Sequence, residues 1–205
     1  MSHYFINDNN IKSKENIIKV CFKDKEYTFT VDNGVFSKNK LDLGTKTLLE
    51  ALDFNNIKGN ILDFGCGWGP IGIIIKNIKD KDVDIDMIDV NLRSINLAIK
   101  NAKQNNVIVN IFESNIYSNV SKKYDYIITN PPIRVGKKIL YKILFDAEKY
   151  LNPNGELWLV ISKNQGAKSL YNDLLTNYNV DIVCKNKEFY VYRCFKRWQL
   201  INTLV

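Results

Sequence analysis

Residues 61 to 72 read ILDFGCGWGPIG, an apolar run that passes into Gly65, Gly67 and Gly69 and then into a helical stretch. Glycines at a strand-to-helix turn admit positive φ and let the backbone come close to a ligand. The dinucleotide fingerprint GxGxxG would need glycine at position 70, which is Pro70, and Asp63, two residues before the first glycine, is a charge that pyrophosphate would oppose. A carboxylate there suits a cation instead, and the amino group of a methionyl moiety is one. Asp89 follows Gly65 by 24 residues, at the end of the next strand-like run, where an acidic side chain accepts hydrogen bonds from ribose hydroxyls. In FESNIYSN, order along the chain lets Asn115 reach an adenine amino group while Ile116 packs on the ring.

A second chemical segment is NPPIR, Asn130 to Arg134. Pro131 and Pro132 remove two backbone donors and stiffen the chain, leaving carbonyl oxygens beside the Asn130 side chain. Such a site offers rigid acceptors. An exocyclic NH2 group supplies two donors, so the Asn130 amide oxygen and the Pro131 carbonyl together grip both hydrogens and direct the nitrogen lone pair at an electrophile.

These segments need elements to position them. From residue 60 short apolar runs alternate with helical stretches, the sign of βαβ units and a largely parallel sheet. Strands are predicted at 60–64, 84–90, 107–112, 124–129 and 156–162, with helices near 70–79, 92–105, 137–151 and 165–176. The tail adds VDIVCK and EFYVYRCF, separated by NK, as an antiparallel hairpin. Ahead of the sheet, runs at 16–22 and 26–31 predict another hairpin, followed by GVFS at 34–37 and a helix through LGTKTLLEALD. The expected fold is α/β, an open doubly wound seven-stranded mostly parallel sheet with an N-terminal β-hairpin extension, and ligands on such sheets bind at the carboxyl ends of the strands. With no internal repeat and no Gly/Ser/Pro linker, residues 1–205 read as one domain, of which 1–40 are the extension.

Composition narrows the chemistry further. The 205 residues are 45% hydrophobic and 25% charged, enough for a sizeable core, and disorder, collagen and coiled coil are excluded. No apolar run approaches the roughly 20 residues of a membrane span, and MSHYFINDNN lacks the layout of a secretory signal, so a soluble, cytoplasmic protein is expected. Cys21, Cys66, Cys184 and Cys194 show no CxxC spacing and share the chain with one histidine, His3, so neither a zinc site nor a disulfide framework is expected. Hydrolase triads and most histidine acid/base chemistry are thereby disfavoured. The formal charge of +7 draws a protein toward nucleic acid, yet only four of the 29 basic residues are arginine, and a lysine-, asparagine- and isoleucine-rich coding bias would give the same excess. Arg134, Lys137 and Lys138, with the N-terminal hairpin lysines, are the candidates for phosphate contact.

With DFGCGWG, Asp89 and NPPIR in that order, the chain resembles the class I S-adenosylmethionine-dependent methyltransferases, specifically the small methyltransferase-domain family that includes ribosomal RNA guanine-N2-methyltransferases. HYF at 3–5, GVFSKNKLDLGT at 34–45, DFGCGWGPIG at 63–72, DVNLRSINLA at 89–98, ITNPPIRVGK at 128–137 and QGAKSL at 165–170 all look like that family. The resemblance implies strand order 3-2-1-4-5-7-6 and S-adenosyl-L-methionine lying over the glycine loop. It implies that Asp63, Gly65, Cys66 and Gly67 hold the methionyl part, Asp89 the ribose, and Asn115 with Ile116 the adenine. Asn130, Pro131 and Pro132 would then be catalytic, Asn130 also bordering the cofactor, with Phe36, Arg134 and Lys137 toward the substrate and no metal. Asn115 stands where many relatives have Asp, and Ile133 replaces the aromatic residue that often follows the two prolines and stacks on the target base. The larger bacterial guanine enzymes also add a degenerate N-terminal copy of the domain, so substrate docking is expected to differ.

The activity so implied is methyl transfer to an exocyclic amine, N2 of a guanine in small-subunit ribosomal RNA, by direct in-line displacement with no early general base. Cys66, the only thiol near the site, is expected to face the strand or core rather than to attack a cytosine. Adenine N6 and a glutamine amide are alternative acceptors. A non-catalytic RNA-binding protein that keeps the fold is the alternative from another class.

Overall fold

The computed structural model describes residues 12–37 and 39–197, and at Arg134 the backbone alone. His3 and the HYF motif lie outside the described residues. An antiparallel hairpin, β1 (Asn16–Phe22) and β2 (Lys25–Val31), comes first. Lys23 and Asp24 both take positive φ in its two-residue turn, whose handedness matches the twist of the flanking strands. Helix α1 (Leu43–Ala51) follows, with Asp42 as its N-cap accepting from the Thr45 amide at 3.0 Å.

The remainder alternates strand and helix: β3 (Gly59–Phe64), α2 (Pro70–Lys79), β4 (Val83–Asp89), α3 (Leu92–Gln104), β5 (Asn110–Glu113), β6 (Tyr124–Thr129), α4 (Lys137–Tyr150), β7 (Leu151–Ser162), α5 (Ala167–Leu174), β8 (Tyr178–Lys185) and β9 (Phe189–Lys196). The seven strands β3 to β9 form one sheet of order β5-β4-β3-β6-β7-β9-β8. Counted within the sheet this is the expected 3-2-1-4-5-7-6, parallel throughout except for β9, which pairs antiparallel with β7 and β8. No helix of the described residues is long and apolar enough to cross a membrane.

The central strands are apolar on both faces because both are covered. Ile61, Met87, Ile128, Trp158 and Val160 face a core shared with the hairpin, α1, α2 and α3. Leu62, Phe64, Ile127, Leu157 and Leu159 face a second core shared with α4 and α5. Asn101 of α3 fixes the hairpin: its Oδ1 accepts from the Thr30 amide at 2.7 Å, and its Nδ2 donates to the carbonyls of Thr30 at 2.9 Å and Trp68 at 2.8 Å. One buried amide thus ties β2 to the glycine loop.

Three of the boundaries that differ from expectation do so for evident local reasons. β5 starts at Asn110 instead of 107, because Asn106 turns left-handed and the Val107 amide is spent on the Ala102 carbonyl at the end of α3. β7 starts at Leu151, yet its pairing with β6 jumps from Tyr124↔Leu151 to Tyr126↔Glu156, so Asn152–Gly155 bulge out and regular pairing begins at 156. α5 starts at Ala167, since Lys163–Gln165 form a 3-10 turn and Gly166 turns left-handed at φ 82°.

Candidate active site

At the carboxyl end of β3 the chain enters the glycine loop with φ of 71° at Gly65, 56° at Gly67 and 95° at Gly69, so all three occupy the left-handed region that favours glycine. Their surroundings divide them. A Cβ at Gly65 or Gly67 would meet nothing within 4 Å, whereas one at Gly69 would stand 2.8 Å from the Ile73 side chain. Gly72 is equally confined, with Met87 Sδ 2.7 Å from the place of a Cβ. Gly65 and Gly67 therefore border open space, and Gly69 and Gly72 let α2 pack against β4.

Asp63 is fully buried under this loop. Its Oδ2 accepts from the Gly72 amide in the first turn of α2 at 2.9 Å, while Oδ1 is buried with no partner among the described residues. Burial pushes the carboxyl up to about 7 despite the Gly72 hydrogen bond, and the nearby Asp89 carboxylate adds to the rise. An orphaned buried carboxylate oxygen is satisfied by a cation that also donates hydrogen bonds. The donor set and the room above Gly65 and Gly67 fit a methionyl amino group.

Asp89 is held differently. Its Oδ2 accepts from the Gly67 amide at 2.9 Å and its Oδ1 from the Asn91 amide at 2.8 Å. Burial raises its pKa, and the amides of Asn91 and Gly67 oppose that rise. Each oxygen retains a lone pair for a further donor, so Asp89 both braces the loop and can receive a ribose hydroxyl. The next loop is joined to it by the Ser114 amide, which donates to the Asp89 carbonyl at 3.0 Å. There Ile116 takes φ 56°, a strained conformation for a β-branched residue, and its carbonyl accepts from Ser114 Oγ at 3.0 Å. Asn115 is exposed, with its side chain unbonded among the described residues. Cys66 is buried in the core, donates weakly to the Gly67 carbonyl, and has its thiol pushed well up, first by burial and then by Asp63 and Asp89, so it is no nucleophile.

β6 delivers the acceptor segment. The Thr129 hydroxyl donates to the Phe64 carbonyl at 2.9 Å, and Asn130 then turns toward α1. Its Nδ2 donates to Asp42 Oδ2 at 2.8 Å and to Thr45 Oγ1 at 2.9 Å. Both amide hydrogens are thereby engaged, and neither Asn130 Oδ1 nor the Pro131 carbonyl has a hydrogen-bond donor among the described residues. Ile133 opens a 3-10 turn and packs partly into the core under α4. Another aromatic ring lies close by instead: the position of a Cβ on Gly44 is 3.2 Å from Phe189 Cε1 and 3.5 Å from Asn130 Nδ2.

The remaining expected residues fall in unequal places. Phe36 is 50% exposed, and its carbonyl accepts from Trp68 Nε1 at 3.0 Å, so the GVFS loop is tied to the glycine loop. Lys137 pairs with Asp173 at 3.7 Å and lies over the Tyr141 ring, Lys138 is exposed, and the Arg134 side chain lies outside the described residues. Of the hairpin lysines, Lys19 pairs with Glu26 and Lys23 lies over the Phe54 ring. Sequence reasoning missed Asp42 and Thr45, and also Lys163 and Lys185. These two lysines each stand 5.7 Å from the Tyr190 ring centre, beside the β8–β9 turn at the carboxyl end of β7.

Residues 26–193 match the family model described as methyltransferase small domain. The chain belongs to that family. Among its relatives is "Uncharacterized protein YbxB" of Bacillus subtilis, 39% identical over 198 residues that cover 95% of this chain and 98% of the relative. The ribosomal RNA small subunit methyltransferase C of Aliivibrio fischeri is 36% identical over 66% of this chain and 43% of its own length. That of Haemophilus influenzae (strain PittGG) is 35% identical over 78% of this chain and 48% of its own. The chain thus spans about half the length of these methyltransferase C relatives and nearly all of YbxB. Among solved structures, the T. thermophilus 16S rRNA N2 methyltransferase (RsmC) in complex with AdoMet and guanosine superposes with TM-score 0.78 at 24% identity, over 89% of this chain and 51% of that one. This last likeness is one of fold, and the small-domain family is the frame for the chemistry that follows.

Proposed function

We propose that this chain, acting as one domain with its N-terminal hairpin, is a cytoplasmic S-adenosyl-L-methionine-dependent methyltransferase whose acceptor is N2 of a guanine in small-subunit ribosomal RNA. The observation that carries the reading is the pairing of an orphaned buried carboxylate under an open glycine loop with an asparagine whose amide oxygen and following proline carbonyl are unclaimed. The relatives named ribosomal RNA small subunit methyltransferase C support small-subunit ribosomal RNA as the acceptor. Asp63 Oδ1 would hold the amino group of the methionyl part, Asp89 the ribose, and Asn115 with Ile116 the adenine. S-adenosyl-L-methionine supplies the electrophilic methyl group on a sulfonium.

The chain's own residues do the alignment. Asn130 Oδ1 and the Pro131 carbonyl accept the two hydrogens of the guanine amine, which turns its lone pair toward the methyl and stabilises the positive charge that grows on nitrogen. Pro132 keeps the second carbonyl from swinging away. The proton leaves to water after transfer, so no side chain need remove it early. Phe36, Phe189, Arg134 and Lys137 border the acceptor side, and Lys163 and Lys185 offer phosphate contacts beside it.

Asn130→Ala tests this directly. Cofactor binding is expected to stay near normal while methyl transfer falls by orders of magnitude, because the lost contact acts on the reacting nitrogen. Full activity in Asn130→Ala would overturn the role of the segment. Mapping methylated nucleotides in ribosomal RNA from cells with and without the protein tests the acceptor, and methylation of adenine N6 or of a protein amide would overturn the guanine assignment.

A further inference from the structure

We infer that Asp42 is a positioning residue for methyl transfer: it fixes which way the Asn130 amide faces. The inference rests on the reading of Asn130 as the group that grips the target amine. An asparagine amide presents an oxygen at one end and a nitrogen at the other, and rotation by half a turn exchanges them with little change in shape. Only one orientation can accept hydrogens from an amine. Which one is adopted depends on what the other end touches.

Here the other end touches a carboxylate, which when ionised only accepts. Asp42 Oδ2 stands 2.8 Å from Asn130 Nδ2, and Thr45 Oγ1 stands 2.9 Å from the same nitrogen. The NH2 group has two hydrogens, and the two partners take both. The flipped amide would set its oxygen against the Asp42 carboxylate and turn NH2 toward the substrate amine, donor against donor. Asp42 therefore selects the productive orientation because the oxygen it aims at Asn130, held there by the Thr45 amide, can only accept, and the Thr45 hydroxyl completes it.

The segment Asp42-Leu43-Gly44-Thr45 is built for this contact. Asp42 is the N-cap of α1, and the same Oδ2 accepts from the Thr45 amide at 3.0 Å, so the cap geometry aims the carboxylate at Asn130. A Cβ on Gly44 would lie 2.9 Å from Asp42 Oδ2 and 3.5 Å from Asn130 Nδ2, so a side chain there would press on the contact. Asp, Gly and Thr thus serve one purpose in sequence: an oxygen that accepts, room for the approach, and a second acceptor.

The capping role has to be separated from the positioning role. Serine caps helices about as well as aspartate but is too short to reach Asn130. Asp42→Ser should keep thermal stability and the affinity for S-adenosylhomocysteine within about twofold, leave KM for RNA nearly unchanged, and lower kcat by about 10- to 100-fold. Asp42→Asn, which keeps an oxygen of the right reach, should restore most of the rate lost in Asp42→Ser, and Thr45→Val should lower kcat by less than Asp42→Ser does. In 15N-labelled protein, the Asn130 side-chain NH2 signals, assigned through Asn130→Ala, should shift and lose protection from exchange in Asp42→Ser.

Full kcat in Asp42→Ser, or unshifted Asn130 signals, overturns the inference. So does a rate loss that tracks lost stability or lost cofactor affinity, since that is the mark of a helix cap alone. If Asn130→Ala itself remains fully active, the functional reading fails and this inference with it. An inactive Asn130→Ala beside a fully active Asp42→Ser overturns the Asp42 role alone.

Discussion

Asp63→Asn changes stability and ligand binding in opposite directions. The amide keeps an oxygen for the Gly72 N–H and has nearly the same volume, but removes a charge that burial and Asp89 both oppose. Raising the carboxyl from 3.8 to about 7 amounts to roughly 4 kcal/mol against the ionised form. Below about pH 4 the group is protonated in folded and unfolded chains alike, and nothing is lost. As pH rises from about 4 to about 7, the unfolded chain gives up the proton while the folded chain keeps it, so native stability falls across that window and the deficit is complete above it. Without ligand, Asp63→Asn should match the wild type near pH 4 and exceed it at pH 8 by up to about 4 kcal/mol. Binding moves the other way. A charge-assisted hydrogen bond to a buried carboxylate contributes about 1.5–3 kcal/mol, so the variant should bind S-adenosylhomocysteine roughly 10- to 150-fold more weakly at pH 8. Wild-type affinity should decline by up to about tenfold per pH unit below 7 until it levels off near that of the variant, one to two units lower, and the variant should lack that decline. Urea unfolding across pH 4 to 8 and calorimetry over the same range measure both. Parallel stability profiles, or equal affinities at pH 8, would refute the assignment of Asp63 to a cationic group.

Asp89→Ala removes the acceptor for two backbone amides and should weaken binding of the same ligand by about 1–3 kcal/mol, with faster hydrogen exchange at Gly67 and Asn91. Unchanged affinity would move the ribose contact elsewhere. Gly72→Ala should destabilise the fold by about 1–3 kcal/mol, because its methyl would meet Met87 Sδ, whereas Gly65→Ala should cost about 1–2 kcal/mol through φ alone and obstruct the ligand. Thermal unfolding of the two variants, with and without ligand, separates packing glycines from ligand-facing ones. Reversing Lys163 and Lys185 to Glu should weaken RNA binding and flatten its salt dependence, and an unchanged slope would remove the β8–β9 turn from the RNA surface.

The sheet was legible because its signals are local. Each central strand is a short apolar run bounded by turn residues, and its neighbours alternate with helical spacing, so the succession of strands and helices and a largely parallel sheet could be read locally, whereas the strand order came from the family resemblance. Boundaries were less legible where backbone hydrogen bonds are contested. Val107–Val109 have strand residues, but the exit of α3 claims the Val107 amide. The glycine loop, Asp63, Asp89 and Asn130 stood out by residue type and converge at one end of the sheet. Their partners did not: the residues that claim the Asn130 NH2 group lie 85 and 88 positions away in the chain. Lysine roles were also beyond composition, since a basic total says nothing about which lysines pair with carboxylates, as Lys19 and Lys137 do.

Two buried or half-buried aspartates at neighbouring strand ends look equivalent in sequence, and only their hydrogen bonds separate them. Asp89 has an amide on each oxygen, so its charge is largely satisfied by the loop it braces and a ligand adds to an existing arrangement. Asp63 has an amide on one oxygen and, among the described residues, no partner on the other, so that oxygen is left for a ligand. Adding a neutral donor to Asp63 would relieve part of the burial penalty, but adding a cation relieves both the penalty and the repulsion from Asp89. On the function proposed above, the same carboxylate that weakens the fold would make the glycine loop selective for a ligand that carries positive charge at this point, and it would disfavour a phosphate, which would set a third anion beside two.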